Sequence, residues 1–299
     1  MIVGLDIGGT KIEAQVFDAD WTEVARLRRP TPADYDGLVA AVAGVIEEAQ
    51  AETAPFEAIG IGAAGLIHPD TGLATTANLP AMGRPLPGDI AARLGRNVTY
   101  VNDCRALALS ESVFGAGKGK RCVVALIIGT GIGGGIAIND RLLQGPTLTG
   151  GEFGHIAAPA HLIAAHGLPV EQCGCGRMAC IETYVSGPGM ARLAKHLTGK
   201  DVTPPEIAAR RDGDMAQVWD IWCALAGEML LGLTLTVDPD VIVLGGGLSR
   251  IEGVTQALED ATRAAQIGAF NVPPVVLASG GDSSGARGAA YAAWQECGA

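Results

Sequence analysis

The chain has 299 residues, of which 48% are hydrophobic, 4% are aromatic and 43 are glycine. This length allows two lobes with separate cores, and the composition is typical of an α/β enzyme and excludes a disordered chain. The net charge of −11 excludes the basic surface that nucleic acid or an anionic membrane would need, so an anionic cofactor would depend on backbone amides and a bound cation.

Targeting signals and disulfides are also disfavoured. No stretch approaches the roughly 20 apolar residues that span a bilayer, and the start MIVGLDIGGTK lacks the basic first residues and long apolar core of a signal peptide. Seven cysteines, three of them clustered, favour reduced thiols and a metal over a disulfide framework. We therefore expect a cytoplasmic protein with no nucleic-acid or membrane partner.

The chain opens with a predicted hairpin. Apolar runs at 2–7 and 12–17 flank the glycine turn GGTK at 8–11. Adjacent glycines let backbone N–H groups converge on an anion, although a plain hairpin turn explains the glycines equally well. Asp6 ends the first strand beside this turn, where a carboxylate is a natural Mg²⁺ partner, and it favours a phosphate site.

Strands and helices then alternate, which is typical of an α/β fold. Residues 34–52 have apolar positions at helical spacing, and 99–112 read as a strand that runs into a helix with Asn102 and Asp103 at the junction. Functional groups are expected at the carboxyl ends of such strands. Between these segments we predict a strand at 58–67, a turn at 75–80, and a helix followed by a turn at 87–98.

The opening pattern repeats at 123–138, where an apolar strand, the turn GTGIGGG and a second strand follow one another. Residues 2–17 and 123–138 are therefore weak internal repeats, which predicts two similar lobes with a boundary near 116–119. The match to GxGxxG does not indicate a dinucleotide site, because a strand and not a helix follows the glycines.

The remainder of the chain is mainly helical. We predict a helix at 184–197, a buried core helix at 215–238, a strand followed by a triple glycine at 238–249, and a turn with an Ala-rich helix at 280–295. The triple glycine is a third place where backbone can approach a ligand.

A metal site is predicted from three clustered cysteines. Cys173, Cys175 and Cys180 fall within eight residues, and His155 is the expected fourth ligand. Three thiolates and one imidazole form a closed tetrahedral zinc site, which is structural because no position remains for water. Three incidental reduced cysteines are the alternative.

Three carboxylates are candidates for direct contact with substrate. Glu152 and Glu182 lie next to the predicted metal ligands and would accept paired hydroxyls of a polyol, or else are ordinary exposed acids. Asp103 is the candidate general base that takes the proton of an acceptor alcohol, and its alternative is a helix cap. Asn102 would orient the same ligand.

These motifs together resemble the ROK sugar kinases, members of the hexokinase and actin-like ATPase superfamily. The resemblance covers essentially the whole chain and is closest to the bacterial N-acetylglucosamine kinases. The motifs that carry it are DIGGTK (6–11), NDCRALALSE (102–111), GTGIGGG (129–135), GGEFGH (150–155) and CGCGRMACIE (173–182).

The resemblance implies a two-lobed actin-like ATPase fold, related to ribonuclease H, with a catalytic cleft between the lobes and a small zinc-bound loop. The N-terminal lobe would comprise 1–116 joined by the C-terminal helix 286–299, and the C-terminal lobe 117–285 with the zinc motif 155–180. A homodimer is also implied. The activity would be ATP- and Mg²⁺-dependent transfer of the γ-phosphoryl group to the 6-hydroxyl of N-acetyl-D-glucosamine.

The resemblance also assigns roles to residues. Asp103 would be the base, and Gly65, Asn78, Asn102, Glu152, His155 and Glu182 would bind the sugar. Asp6, Gly8, Gly9, Thr10, Lys11, Thr130 and Gly131 would surround Mg²⁺ and the phosphates, and Gly245, Gly246 and Gly247 the adenosine. His155 would use one ring nitrogen for zinc and the other for sugar.

Two residues depart from the family pattern. Arg105 stands where members usually have Asn, and its side chain either alters the pocket wall, and with it the choice of sugar, or points away from the pocket. Ala179 replaces a glycine of the zinc motif, and the site is expected to persist if the backbone there does not require a positive φ.

Other functions compete with this hypothesis. Glucose, fructose or N-acetylmannosamine would keep the chemistry and change the sugar. A sugar-sensing ROK regulator is disfavoured because the phosphate loop begins at Asp6, which leaves no room for a helix-turn-helix. A catalytically dead binding protein is disfavoured by Asp103 together with intact loops.

Overall fold

The fold is known from a computed structural model that describes residues 1–76, 78–281 and 284–298. The chain forms two compact units. The first contains residues 1–119, 135–150 and 279–299, and the second contains residues 120–134 and 151–278.

Strands and helices alternate along both units. The strands are β1 (Ile2–Ile7), β2 (Lys11–Phe17), β3 (Glu23–Pro30), β4 (Ala58–Ala63), β5 (Leu66–Ile67), β6 (Ala74–Thr75), β7 (Thr99–Asn102), β8 (Cys122–Ile128), β9 (Ile132–Ile138), β10 (Arg141–Leu142), β11 (Val241–Gly245) and β12 (Val275–Leu277). The α-helices are α1 (Tyr35–Glu52), α2 (Leu86–Leu94), α3 (Asp103–Val113), α4 (Ala160–His166), α5 (Glu182–Val185), α6 (Gly187–Thr198), α7 (Pro204–Ala209), α8 (Ala216–Val237), α9 (Val254–Ala265) and α10 (Ser284–Cys297).

The first unit is built on a five-stranded sheet in the order β3-β2-β1-β4-β7. The predicted opening hairpin is confirmed, because β1 pairs antiparallel with β2 from Ile2–Phe17 to Ile7–Ile12. Strands β1, β4 and β7 run parallel, so their carboxyl ends meet at one edge of the sheet.

Helices cover both faces of this sheet. Side chains at alternate β1 positions, Val3 and Leu5 among them, pack into one core with α1 and α2. On the opposite face α10 approaches so closely that a Cβ at Gly4 or Gly60 would lie 1.9 Å from a carbonyl oxygen of α10. Glycine at these two positions therefore allows the C-terminal helix to pack directly on the sheet.

The second sheet repeats the first, with the order β10-β9-β8-β11-β12. Its central strands β8 and β11 run parallel, as β1 and β4 do. Strand β9 passes from the second unit to the first between Gly134 and Gly135. The internal repeat predicted from 2–17 and 123–138 is thus present as equivalent strands and turns.

Helix α8 belongs to the core of the second unit. By length and composition it is long and apolar enough to cross a membrane, and 61% of its apolar window is buried in the protein. Trp222 is fully buried and donates its indole N–H to the Val185 carbonyl at 2.9 Å. These contacts agree with the predicted core helix.

Some local predictions need correction. The segment 58–67 is not one strand, because β4 ends at Ala63 and the short β5 begins only after Gly65, whose φ is +120°. The predicted turn at 75–80 includes the end of β6, which pairs with β5.

Residue 77 of that turn and residues 282–283 of the predicted 280–295 segment lie outside the described residues. The segment 135–150 groups with the first unit, whereas the lobe division expected from the sequence put it in the second.

Candidate active site and metal centre

The first unit gathers several predicted site residues at the carboxyl edge of its sheet. Ile7 is in register with Ala63, and Ala63 with Asn102, so three parallel strands end level with one another. The glycine turn 8–11 follows β1, Gly65 follows β4, and Asp103 follows β7. This is the edge at which α/β folds place their functional groups.

Asn102 and Asp103 lie where β7 becomes α3. Asn102 is the N-cap, since its Oδ1 accepts the backbone N–H groups of Cys104 (3.0 Å) and Arg105 (3.4 Å). Its Nδ2 donates to the Gly65 carbonyl at 3.2 Å. The capping role considered for Asp103 therefore falls to Asn102, and Asp103 is the first helical residue.

Asp103 is a half-buried carboxylate whose protonation is sensitive to its surroundings. Desolvation by burial raises the pKa of this carboxyl above its ordinary value, while the Cys104 N–H, at 2.9 Å from Oδ1, opposes that shift. A base with a raised pKa is better matched to neutral pH than an exposed aspartate.

The turn at 8–11 is held on two sides. Gly8 N–H donates to the Lys11 carbonyl at 2.9 Å, and the Thr31 hydroxyl donates to the Gly8 carbonyl at 2.6 Å. A Cβ at Gly9 would lie 2.9 Å from the Asn78 carbonyl, so glycine lets the two segments touch. The Lys11 ammonium lies 3.6 Å from the buried Glu13 carboxylate, and the Asp6 carboxyl lies beside Gly285 at the start of α10.

The second unit contains the equivalent turn after β8. Gly129 N–H donates to the Gly131 carbonyl at 2.9 Å, and the Gly129 carbonyl accepts Gly187 N–H at 2.7 Å. Ile132 N–H donates to Oε2 of Glu182 at 3.2 Å. Thr130 and Gly131 are exposed on this turn.

The triple glycine after β11 lies against the same turn. Gly246 has a φ of +86°, and a Cβ there would lie 2.6 Å from the Ile128 carbonyl. A Cβ at Gly129 would lie 3.8 Å from Gly247 N. The second unit therefore brings Thr130, Gly131 and Gly245–Gly247 to one sheet edge.

The predicted metal ligands form one cluster. The ligand atoms of His155, Cys173, Cys175 and Cys180 all lie within 4.8 Å of one another. Cys175 Sγ is 3.7 Å from Cys180 Sγ, and Cys173 Sγ is 3.6 Å from His155 Nδ1. A tetrahedral zinc with bonds of about 2.0–2.3 Å separates its ligands by roughly 3.3–3.8 Å. The two pair distances lie in this range, and the chemistry of three thiols and one imidazole fits zinc.

A tight hairpin supplies the three thiols. Gly176 N–H donates to the Cys173 carbonyl at 2.9 Å, and Cys173 N–H to the Arg177 carbonyl at 2.8 Å. The backbone N–H of Arg177 lowers the pKa of the Cys175 thiol, whereas burial raises that of Cys173. Ala179 has a φ of +53°, so the position that departs from the family motif does use the left-handed conformation.

The two glutamates flank His155. Its Nδ1, on the thiol side, is 3.6 Å from Glu182 Oε1, and its Nε2 is 3.9 Å from Glu152 Oε2. Glu182 Oε1 also accepts the Cys173 thiol at 2.9 Å. Both glutamates are half-buried, so neither is an ordinary exposed acid. The two ring nitrogens face different groups, as a shared role in metal and sugar binding requires.

Some supporting residues have no signal in the sequence. Thr31 holds the first turn, and Tyr100 donates its hydroxyl towards the carbonyls of Ala63 (3.2 Å) and Gly65 (3.3 Å). Glu111 accepts the N–H groups of Ala116 (2.9 Å) and Gly280 (2.8 Å). Glu111 lies in a recognisable sequence motif, but the motif does not predict its hydrogen bond to Gly280, which is far away in the sequence.

Comparison with known proteins identifies the family. The ROK family profile matches residues 2–296. The chain belongs to the ROK family. It is 40% identical to the N-acetylgalactosamine kinase AgaK of Shewanella sp. (strain ANA-3), over 97% of this chain and 96% of that protein. It is also 40% identical to the N-acetyl-D-glucosamine kinase of Escherichia coli O9:H4 (strain HS), over 97% of this chain and 98% of the relative.

A solved structure with the same fold carries ligands. The ROK family glucokinase of Streptomyces griseus, in complex with glucose and AMPPNP, superposes with a TM-score of 0.76 at 31% identity, covering 98% of this chain and 99% of that one. These matches confirm three predictions: ROK membership, the two-lobed actin-like fold, and the class of enzyme, an ATP-dependent sugar kinase.

Proposed function

We propose that this ATP-dependent sugar kinase transfers the γ-phosphoryl group to the 6-hydroxyl of N-acetyl-D-glucosamine, with Asp103 as the general base. The observation that carries the proposal is the carboxylate of Asp103, half-buried at the start of α3 with a raised pKa. Relatives that act on 2-acetamido sugars, at 40% identity over nearly the whole chain, support the choice of sugar.

The proposed reaction needs one proton transfer and one displacement. Asp103 takes the proton of the 6-hydroxyl as that oxygen bonds to the γ-phosphorus, and the bond from the γ-phosphorus to the bridging oxygen breaks to release ADP. Because phosphoryl transfer depends mainly on positioning and charge neutralisation, the remaining residues act by holding the two substrates.

The sugar contacts are assigned to polar side chains. Asn102, Glu152, His155 and Glu182 would bind ring hydroxyls, and carboxylates suit paired hydroxyls because they offer several acceptor positions. Gly65 and Asn78 would line the pocket. The half-burial of Glu152 and Glu182 supports this assignment, because desolvated acceptors bind hydroxyls more strongly than exposed ones.

The nucleotide contacts are assigned to the two glycine turns. Gly8, Gly9, Thr10, Lys11, Thr130 and Gly131 would approach the phosphates, and Gly245, Gly246 and Gly247 the adenosine. Asp6 would hold Mg²⁺, which neutralises charge on the β- and γ-phosphates when it is bound with ATP. Backbone N–H groups are suited to this role in a chain of net charge −11.

We also propose that His155, Cys173, Cys175 and Cys180 bind one structural zinc ion. Bound there, zinc would fix the hairpin 171–180 and leave Nε2 of His155 available to the sugar. Metal analysis of the purified protein is expected to give one zinc per chain. A homodimer and a cytoplasmic location remain predictions, and light scattering after gel filtration would measure the former.

N-acetylgalactosamine is the second candidate substrate, because the kinase AgaK for that sugar is as similar to this chain as the N-acetylglucosamine kinase is. The two sugars share the 2-acetamido group and differ in the orientation of the 4-hydroxyl.

A coupled assay of ADP release tests the assignment across both amino sugars, N-acetylmannosamine, glucose and fructose. We expect kcat/KM for N-acetylglucosamine to exceed that for glucose at least about tenfold, since a pocket built to hydrogen-bond a substituent discriminates strongly against its absence. A preference for glucose would refute the acetamido assignment, and a preference for N-acetylgalactosamine would favour the second candidate.

A further inference from the structure

Arg105 is a buried cation two residues after the proposed base. Its side chain is 6% exposed, although arginine is seldom buried without partners. Nε donates to the Gly150 carbonyl at 3.0 Å, and Nη2 donates to the Leu148 carbonyl. One planar guanidinium therefore donates hydrogen bonds to two carbonyls of the same short segment, Leu148–Gly150.

The segment Leu148–Gly150, which accepts these hydrogen bonds, is the end of an exposed loop. Between β10 and Gly150, residues 143–147 are exposed, and Leu148 is only partly buried. Leu148 has a φ of +51°, a conformation that costs a non-glycine residue free energy and persists only where its surroundings fix it. The bonds from Arg105 supply such fixing, because they take up the carbonyls on both sides of Thr149.

Helix α3 also lies close to β9, the strand that precedes β10 and this loop. A Cβ at Gly135 would lie 2.7 Å from the Arg105 Cα and 2.8 Å from the Ala108 Cβ. Helix α3 therefore lies close to the chain on both sides of the exposed loop, at Gly135 in β9 and, through Arg105, at Leu148 and Gly150.

The gripped backbone lies immediately before a proposed sugar ligand in the chain. Gly150 precedes Glu152 by two residues, and Gly151 between them has a φ of +100°. Gly150 is the last residue of the segment 135–150 in the first unit, and Glu152 follows two residues later in the second unit. The hydrogen bond that holds Gly150 therefore fixes the point from which the chain runs on to Glu152.

We propose that Arg105 is a positioning residue for the sugar: it fixes the Leu148–Gly150 backbone to the helix that begins with Asp103, and so sets the placement of Glu152. This rests on the proposed function, in which Glu152 binds the sugar.

The test uses Arg105→Lys and Arg105→Gln, with Arg96→Lys as the matched control. Arg96 also grips a backbone carbonyl in the first unit, that of Phe56 at 2.6 Å, and donates to Gln50 at 3.3 Å. Steady-state kinetics give the KM for sugar and for ATP separately. A substitution that only weakened the fold would lower the melting temperature without separating the two KM values.

We expect Arg105→Gln to raise the sugar KM about tenfold and to leave the ATP KM within about twofold, because lost positioning weakens binding of the sugar alone. Arg105→Lys keeps the charge but cannot reach both carbonyls, so its effect is expected to be smaller and in the same direction. Arg96→Lys is expected to leave both KM values unchanged. Equal changes in the two KM values, or an unchanged sugar KM in both Arg105 variants, would overturn the proposal.

Limited thermolysin digestion gives a second readout that does not depend on catalysis. Thermolysin cleaves before large apolar residues, and the loop offers Leu143 and Leu148. We expect the wild-type loop to resist and the loop of Arg105→Lys to be cut at least several times faster, with Arg96→Lys behaving as wild type. Prompt cleavage of the wild-type loop would overturn the proposal even if the variants failed to fold.

Failure of the proposed function has a different signature. If the wild-type enzyme prefers another hexose, the KM comparison is made with that hexose and still reports on Arg105. If no sugar is phosphorylated, the proposed function fails, while the thermolysin result continues to test the grip on the loop.

Discussion

The turn at Gly8–Lys11 in the first unit and the turn at Gly129–Ile132 in the second unit follow the central strands of two sheets with equivalent strand orders. The first turn is held by a neutral hydroxyl, that of Thr31. The second is held by the Glu182 carboxylate, whose other oxygen accepts the Cys173 thiol of the metal cluster.

This difference shows that a repeated sequence pattern predicts the local turn but does not determine which side chains form hydrogen bonds to it. The first turn shares its sheet edge with Asp103, so the chemistry is expected to depend on the first unit. The second turn is connected through Glu182 to the metal cluster, so its geometry is expected to depend on the metal. Substitutions near the first turn and substitutions near the second turn should therefore have different effects on activity and stability.

The largest effect is expected for Asp103→Asn, which removes the carboxylate at the sheet edge that carries the first turn. A general base contributes about 10²–10⁴ in rate, so kcat should fall by at least about 10² while the sugar dissociation constant changes little. Stopped assays and calorimetric titration measure the two quantities. Turnover within tenfold of wild type would remove Asp103 from the role of base.

The same substitution is expected to change stability in a pH-dependent way. Burial raises the pKa of Asp103 in the folded protein, so ionising it costs stability as the pH rises through that pKa. Asparagine carries no such cost and can still accept the Cys104 N–H. The melting temperature of Asp103→Asn should therefore exceed that of wild type at pH 8, with a difference that shrinks towards pH 4. A lower melting temperature at pH 8 would contradict this.

The next effect is the acid limb of the pH profile of the wild-type enzyme. Because the raised pKa means that Asp103 is protonated at a higher pH than an ordinary aspartate, kcat/KM should fall about tenfold per pH unit below that pKa. The midpoint should lie above about 4, the ordinary range for aspartate. Rates measured in overlapping buffers at constant ionic strength would show it, and a flat profile down to pH 4 would be inconsistent with this base.

A smaller effect, on the KM for ATP, is expected when the side chains that form hydrogen bonds to the two turns, Glu182 and Thr31, are replaced. A hydrogen bond to a charged group contributes about 1.5–3 kcal/mol and a neutral one about 0.5–1.5 kcal/mol. We therefore expect Glu182→Ala to raise the ATP KM about tenfold and Thr31→Val about threefold. Steady-state kinetics at saturating sugar provide the measurement. A larger effect from Thr31→Val would reverse the ranking of the two supports.

The smallest effect is expected at Ala179 in the metal hairpin. Its φ of +53° costs a non-glycine residue about 1 kcal/mol, part of which is offset by the greater freedom of glycine in the unfolded chain. Ala179→Gly should raise the melting temperature by about 1–2 °C with unchanged zinc content. A decrease in melting temperature would mean that the hairpin relaxes around alanine without strain.

Much of the fold was predictable because its signals are local. Apolar runs of strand length followed by glycine located β1, β8 and β11, and helical periodicity located α1. Strand β3 was missed, since its alternation of arginine with apolar residues gives a weak signal for an edge strand. The break of 58–67 falls at Gly65, where a Cβ would lie 2.5 Å from the Thr75 carbonyl, and local sequence does not encode that close approach.

The candidate site was predictable where residues lie close together in sequence or fall in a motif. The metal cluster is such a case, because three of its ligands are within eight residues. The grip of Arg105 on Leu148 and Gly150 was not, since it joins positions more than 40 residues apart and depends on the path of an exposed loop. The sequence motif identified Arg105 as an unusual residue, and the structure is needed to show which carbonyls its side chain binds.

The most direct test of the central claim is the proton-coupled ³¹P spectrum of the sugar phosphate formed by the wild-type enzyme from N-acetylglucosamine and ATP. Transfer to the 6-hydroxyl places phosphorus next to a methylene group, so the account predicts a triplet from two couplings of similar size to the protons on C6. A doublet, from a phosphate on a ring carbon or the anomeric carbon, or no sugar phosphate at all, would contradict it.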